Sequence, residues 1–323
     1  MQLGVYLDLR NPPQWRQDWS RLYGFSLELC EEAERLGLGS AWFSEHHLFA
    51  DGYLPQPLTF AAAVAARTSR IRLGTAVMLA PLRPPAQIAE EAAVVDVLSG
   101  GRLDLGLGAG YRPPEFALYG ADFTSRYKAT DGTVRELRRL WGDGGVTPPP
   151  VQSALPIWLG YNGPQGARRA GRLGEGLLSL NPALLEPYRE GLAEGGHDPA
   201  AARMSGTVNL FVSEDPERDW ARVKPHHTHQ WESYRQASVE GTGRPAPRPF
   251  DAEVSRARGL TPGLGNILVT TPEDAAAQLA ERTRDIPVET VFVWVSPGAL
   301  PEDLALAHLR SLGDHLAPLL KDL

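Results

Sequence analysis

The chain has 323 residues, 32 basic and 39 acidic side chains for a formal charge of −7, and a single cysteine, Cys30. A chain this long buries about 75% of the surface it would expose unfolded, so it needs no staple, and a lone cysteine excludes a disulfide framework. Its composition, 42% hydrophobic and 22% charged, is globular, and the mild acidity argues against a dedicated nucleic-acid binder. The opening MQLGVYLDLRN lacks a basic leader and a small-residue cleavage site, and no run reaches 18 uncharged apolar residues. A cytoplasmic protein without membrane or nucleic-acid partners is the expectation.

In chain order, strands alternate with helices. Leu3–Asp8 is short and apolar. Leu22, Phe25, Leu29, Ala33 and Leu36 then recur at three or four, the buried face of a helix closed by Gly37. Ser40–Ser44 is a second strand, Thr59–Arg67 an Ala-rich helix, Ile71–Leu79 a third strand and Gln87–Leu98 a helix. Arg102–Gly108 is a fourth strand, and further strands are expected at Pro156–Gly160, Gly176–Leu180, Thr207–Val212 and Thr290–Val295. Helices fill Ser125–Trp141, Pro164–Arg172, Leu184–Glu194, Glu217–Arg235, Glu273–Arg284 and Pro301–Leu319. Eight such units predict a closed parallel (β/α)8 barrel, with an open doubly wound sheet as the alternative. Residues 1–323 read as one domain. Two stretches break the rhythm: Gly142–Ser153, and the long Pro/Gly-rich Ala237–Gly265 between the seventh and eighth strands, where a mobile lid is expected.

In the fourth strand, leucines alternate with Asp104, Gly106 and Gly108, which places the latter three toward the barrel axis. The glycines either leave room for a flat ligand or relieve crowding in a curved barrel. Gly106, Gly108 and Gly110 follow the wrong strand, with incomplete spacing, for a dinucleotide fingerprint. Ser44-Glu-His-His sits at the carboxyl end of the second strand, where barrels place their chemistry, and offers a general base or hydrogen-bonding histidine. Neighbouring histidines on a strand point apart and do not share a metal. His226, His227 and His229 read as a solvated helix face rather than a metal site, and no metal is expected.

The run IRLGTAVMLAPLRPPAQIAEEAAVVDVLSGGRLDLGLGAGYRPPEFALYG resembles the luciferase-like flavin monooxygenases. AWFSEHHLF, PIWLG with ARRAGRLGEG, and VTTPEDAAAQL extend the likeness over nearly the whole chain. The resemblance implies a barrel that binds reduced FMN, or the deazaflavin F420 in one branch, at the carboxyl ends of the strands. By position, His46 corresponds to the catalytic histidine beside the flavin. Ala76–Val77 falls where the family bends its third strand with a non-proline cis peptide, and Tyr6 approaches the ring or substrate. Gly108, Ala109, Gly110, Gly160, Tyr161, Asn162 and Gly163 would seat the cofactor. Where luciferases carry a phosphate-binding arginine this chain has Ala109, so Arg112, Arg168 and the helix opening after Gly163 are the substitutes.

Together these readings give a monooxygenase that uses reduced FMN and O2 on a small organic substrate. A separate NAD(P)H:flavin reductase would supply the flavin, and a homodimer is expected. An F420-dependent hydride-transfer enzyme and a non-catalytic flavin-binding protein are the alternatives.

Overall fold

The structure, a computed structural model, describes residues 1–142, 144–261 and 265–321. Its strands are β1 (Gln2–Leu7), β2 (Ser40–Phe43), β3 (Arg72–Thr75), β4 (Met78–Leu79), β5 (Leu103–Gly108), β6 (Ile157–Leu159), β7 (Gly176–Leu178), β8 (Met204–Val208), β9 (Leu210–Val212), β10 (Leu268–Thr270) and β11 (Val288–Trp294). The main helices are α1 (Trp19–Arg35), α2 (Pro57–Arg67), α3 (Pro85–Ser99), α4 (Pro113–Tyr119), α5 (Arg126–Gly142), α6 (Gly163–Arg172), α7 (Leu185–Glu194), α8 (Pro216–Ala237), α9 (Ala252–Ala257), α10 (Pro272–Thr283), α11 (Glu302–Arg310) and α12 (Ala317–Leu319).

All barrel pairings are parallel, and β1 joins β11 on one side and β2 on the other, so the sheet closes. β3 and β4 both pair β5, and the register slips by one residue between Leu73↔Leu103 and Met78↔Leu107. They are one barrel strand broken by a bulge at Ala76–Val77, whose peptide bond is cis. Counted this way the barrel has eight strands.

Alternation divides the core in two. Leu3, Val5, Leu7, Leu103, Leu105 and Leu107 face the helices in the main apolar cluster. Tyr6, Trp42, Trp158, Phe292 and Trp294 pack inside the barrel. Asp104 also points inward, taking a 2.6 Å bond from Arg72 Nε and a 3.3 Å bond from Trp158 Nε1. Helix ends follow local chemistry: Asp18 caps α1 by accepting from the Arg21 amide at 3.0 Å, and Gly100 stops α3 at φ 68°.

The expected seventh strand is corrected by the structure. The chain leaves the barrel after Val208, and Leu210–Val212 instead pairs β10 in a separate two-stranded parallel sheet. The expected lid, Ala237–Gly265, begins as the last residue of α8 and contains α9; its residues 262–264 lie outside the described ones. No helix among the described residues is long and apolar enough to cross a membrane.

Candidate active site

At the carboxyl ends of the barrel strands lies a cavity of about 230 Å³, and Tyr6, His46, Ala76, Val77, Gly108, Ala109, Gly110, Gly160, Tyr161 and Asn162 all line it. Gly163, Arg112 and Arg168 do not. Gly163 opens α6 behind the lining. Arg168 points to solvent and pairs with Glu190 and Glu194. Arg112 is buried against Glu115 and Glu240 beside a different cavity.

The floor explains the glycines. A Cβ at Gly106 would fall 1.8 Å from the Thr75 carbonyl oxygen, and Cβ atoms at Gly108 and Gly160 would fall 2.3 Å and 2.6 Å from Val77 methyls. Crowding by the bulged strand accounts for all three positions, and the bulge so accommodated presents Ala76 and Val77 to the cavity. Tyr6 donates its hydroxyl to the Ala76 carbonyl, and burial drives its phenol well above the ordinary value, so it stays neutral.

His46 follows β2 and is ringed by aromatic side chains, with centroids at 4.8 Å to Tyr53, 5.1 Å to Phe49 and 5.4 Å to Tyr111. Its Nδ1 lies 2.9 Å from Glu115 Oε1, which directs Nε2 to the cavity. Burial pushes the Glu115 carboxyl upward. The bond from His46, that residue's charge, the His47 amide and the Arg112 guanidinium override it and hold the group below the usual carboxylate range. His47 turns the other way, its Nε2 2.7 Å from Glu45 Oε1, where Arg83 also pairs. Glu115 was not apparent in the sequence. In Pro-Pro-Glu-Phe it reads as an ordinary acid in a first helical turn, and only the tertiary fold brings α4 to His46, 69 residues away.

Residues 1–290 match the luciferase-like monooxygenases. The chain belongs to that family. An F420-dependent glucose-6-phosphate dehydrogenase from Amycolatopsis mediterranei is 29% identical over 222 residues, 60% of this chain and 66% of that protein. The oxygenase component of a flavin-dependent trigonelline monooxygenase from Acinetobacter baylyi is 32% identical over 165 residues, 46% of each chain. This chain thus spans less than two thirds of the length of either curated relative. A monooxygenase from Streptomyces bottropensis of known structure superposes with a TM-score of 0.81 at 25% identity, covering 98% of this chain and 99% of that one. The luciferase-like relatives are oxidoreductases, some flavin-dependent and some F420-dependent.

Around this luciferase-like cavity the remaining polar groups are Ser44, Glu45, Asn162 and a set of phenols. Burial raises Tyr53, Tyr111, Tyr161 and Tyr234 above their ordinary values, so they serve as neutral donors. Tyr161 donates to Asp131 Oδ1 at 2.7 Å, and Arg169 pairs with the same carboxylate. Deeper in, burial raises the Asp8 carboxyl to about 7 against the pull of Arg10.

The reading of His226, His227 and His229 as a solvated face is corrected. His226 and His227 are only 4% and 1% exposed, on Gly298 O at 3.0 Å and Gly265 O at 2.9 Å, while His229 reaches Asp51 at 2.9 Å. Among the described residues no group of three or more His, Cys, Asp or Glu is placed to hold a metal.

Proposed function

We propose that this chain is the oxygenase of a two-component system, using reduced FMN and O2 to oxygenate a small organic substrate, with the flavin delivered by a separate reductase. The observation that carries the reading is the His46–Glu115 pair, aimed from an aromatic cage into a cavity whose floor is backbone and small side chains.

The residues present suit a flavin ring. Gly108, Ala109 and Gly160 leave a low floor, Val77 and Ala76 rise against it, and Tyr6, Tyr111 and Tyr161 supply uncharged walls. A bound reduced flavin supplies the electrons that activate O2. The protein's part is to exclude water, orient the ring and manage a proton. His46 does the last at Nε2, with Glu115 holding the ring in place at Nδ1. Among the described residues the cavity lining carries no arginine or lysine, so the cofactor's anionic end is left to Asn162 and the amides opening α6.

We read the described part of Ala237–Gly265 as a lid beside this face, its Ala237 and Glu240 lining the neighbouring cavity. Glu240 ties it to Arg112, and Phe250 packs on the core. Hydrogen exchange should show added protection across Gly241–Gly259 when reduced FMN binds. Ala109 in place of a phosphate-binding arginine supports the second reading, an F420-dependent hydride-transfer enzyme. Fluorescence titration with FMN, FMNH2 and F420 tests both: tightest binding of FMNH2 supports the oxygenase, and binding of F420 alone refutes it.

A further inference from the structure

Beside the candidate active site lies a second cavity, of about 470 Å³. The two share an aromatic wall. Phe49 faces the second cavity and packs 5.1 Å from His46 and 5.2 Å from Tyr53, which face the first.

Arg10 and Arg112 line this second cavity. Their side chains are 0% and 2% exposed, yet Arg10 Nη1 and Arg112 Nε have no hydrogen-bond partner among the described residues. A buried guanidinium costs stability even when fully paired, and an apolar side chain would often serve better. Buried donors left unused call for a reason. The remaining donors are committed: Arg10 to Asp51 and Ser233, both at 2.7 Å, and Arg112 to the His47 carbonyl, Glu115 and Glu240.

The anionic partners are unequal. Asp51 and Glu115 are buried. Glu240 is 52% exposed, in the coil that follows α8. Its carboxylate therefore occupies, from a peripheral segment, the outer face of a buried guanidinium. Pro13, Leu48, Phe49, Ala50 and Ala237 supply the apolar part of the wall, and Asp51, His229, Ser233 and Gln236 the rest of its polar part. Both guanidinium groups lie over the Phe49 ring, at 5.2 Å and 4.3 Å from its centroid, which suits a flat ligand beside them.

We propose that this cavity binds the carboxylate of an organic acid with a flat apolar body, held by Arg112 and Arg10, and that Glu240 is the resident anion it displaces. Resting on the oxidoreductase reading above, that acid is the substrate, selected by charge one aromatic ring away from His46. The shared chemistry is an oxyanion on a planar fork, and the flavin's phosphate is the other source to be distinguished.

The flavin-free 323-residue chain is titrated calorimetrically with benzoate and benzamide, and by fluorescence with FMN and riboflavin. Benzoate should bind at least about tenfold more tightly than benzamide, the scale of a charge-assisted bond. Glu240→Gln should tighten benzoate about fivefold, the worth of a half-exposed ion pair, and Arg112→Gln should erase the benzoate preference. No benzoate binding, equal binding of the two probes, or benzoate affinity indifferent to Glu240→Gln overturns the proposal. So does an Arg112→Gln protein that binds benzoate normally but no longer prefers FMN to riboflavin, which assigns the arginine to the phosphate. If Arg112→Gln does not fold, the Glu240→Gln result decides. Benzoate binding without any flavin binding would sink the oxygenase reading and leave the acid site standing.

Discussion

Replacing Gly106 with alanine tests the barrel floor directly. The new Cβ would lie 1.8 Å from the Thr75 carbonyl oxygen and 3.0 Å from its carbon. An ordinary carbon–oxygen contact is about 3.3–3.6 Å, so the two strands must part by roughly 1.5 Å, and the obstacle is backbone that no rotamer change removes. Parting them breaks a reciprocal pair: Thr75 Oγ1 donates to the Gly106 carbonyl at 2.7 Å and accepts from its amide at 2.9 Å. Two hydrogen bonds at about 1 kcal/mol each and about 1–3 kcal/mol of overpacking give a loss of roughly 3–5 kcal/mol. With an unfolding entropy of about 2.1 cal/mol/K per residue over 323 residues, the melting temperature should fall by about 4–7 °C. Gly24→Ala in α1 is the control, since its Cβ meets nothing within 4 Å and a helix interior gains about 0.5–1 kcal/mol from the exchange. Thermal unfolding by circular dichroism reads both. A Gly106→Ala protein that melts with the wild type, or a Gly24→Ala protein that loses as much, refutes the reasoning.

His46→Ala should slow substrate oxygenation about 10²- to 10⁴-fold, the scale of a lost acid–base group, while flavin affinity changes little; stopped-flow rates equal to wild type would reduce His46 to a structural residue. Burial lowers His227 and His308 to about 4 from an unfolded value near 6.5, so their contribution is complete above pH 6.5 and is lost as pH falls toward 4, by up to about 3 kcal/mol each. Urea unfolding across that window should show the decline, and a flat profile would contradict it. Asp8 has the opposite sign: burial raises its folded value to about 7 from 3.8, stability is lost as pH rises through 7, and Asp8→Asn should exceed wild type at pH 8 but not at pH 4. Val94, Val97 and Leu98 lie exposed on α3, so sedimentation should find a homodimer that Val97→Glu turns into a monomer; an unchanged mass for that variant would place any interface elsewhere.

The barrel was legible because its signals are local and repeated. Leucines alternating with Asp104, Gly106 and Gly108 settle which face of β5 is inner, and Gly100 marks the end of α3. The departure of the chain at Asn209 was not legible. Thr207–Val212 reads as one β-rich run with a lone Asn209 inside it, and nothing in it says that Leu210 turns to pair Leu268 rather than continue in the barrel. β10 has only three residues, too few to show a period. Charges were the hardest to place. Arg112 and Arg168 look equivalent as phosphate ligands, yet one is buried against the His47 carbonyl and Glu240, 65 and 128 residues away, and the other is spent on Glu190, 22 residues away on the surface. The buried His226 and His227 were misread for the same reason: their partners, Gly298 and Gly265, lie 72 and 38 residues away.

Val77 has a further consequence. Its two γ-methyls occupy the places where side chains at 108 and 160 would begin, so the three positions form one epistatic unit. A substitution at either glycine is blocked while valine stands at 77, and shortening residue 77 opens a void while both glycines remain. An engineer, or a lineage, that reshapes this floor must first trim Val77 and only then enlarge 108 or 160; the reverse order passes through a protein that does not pack.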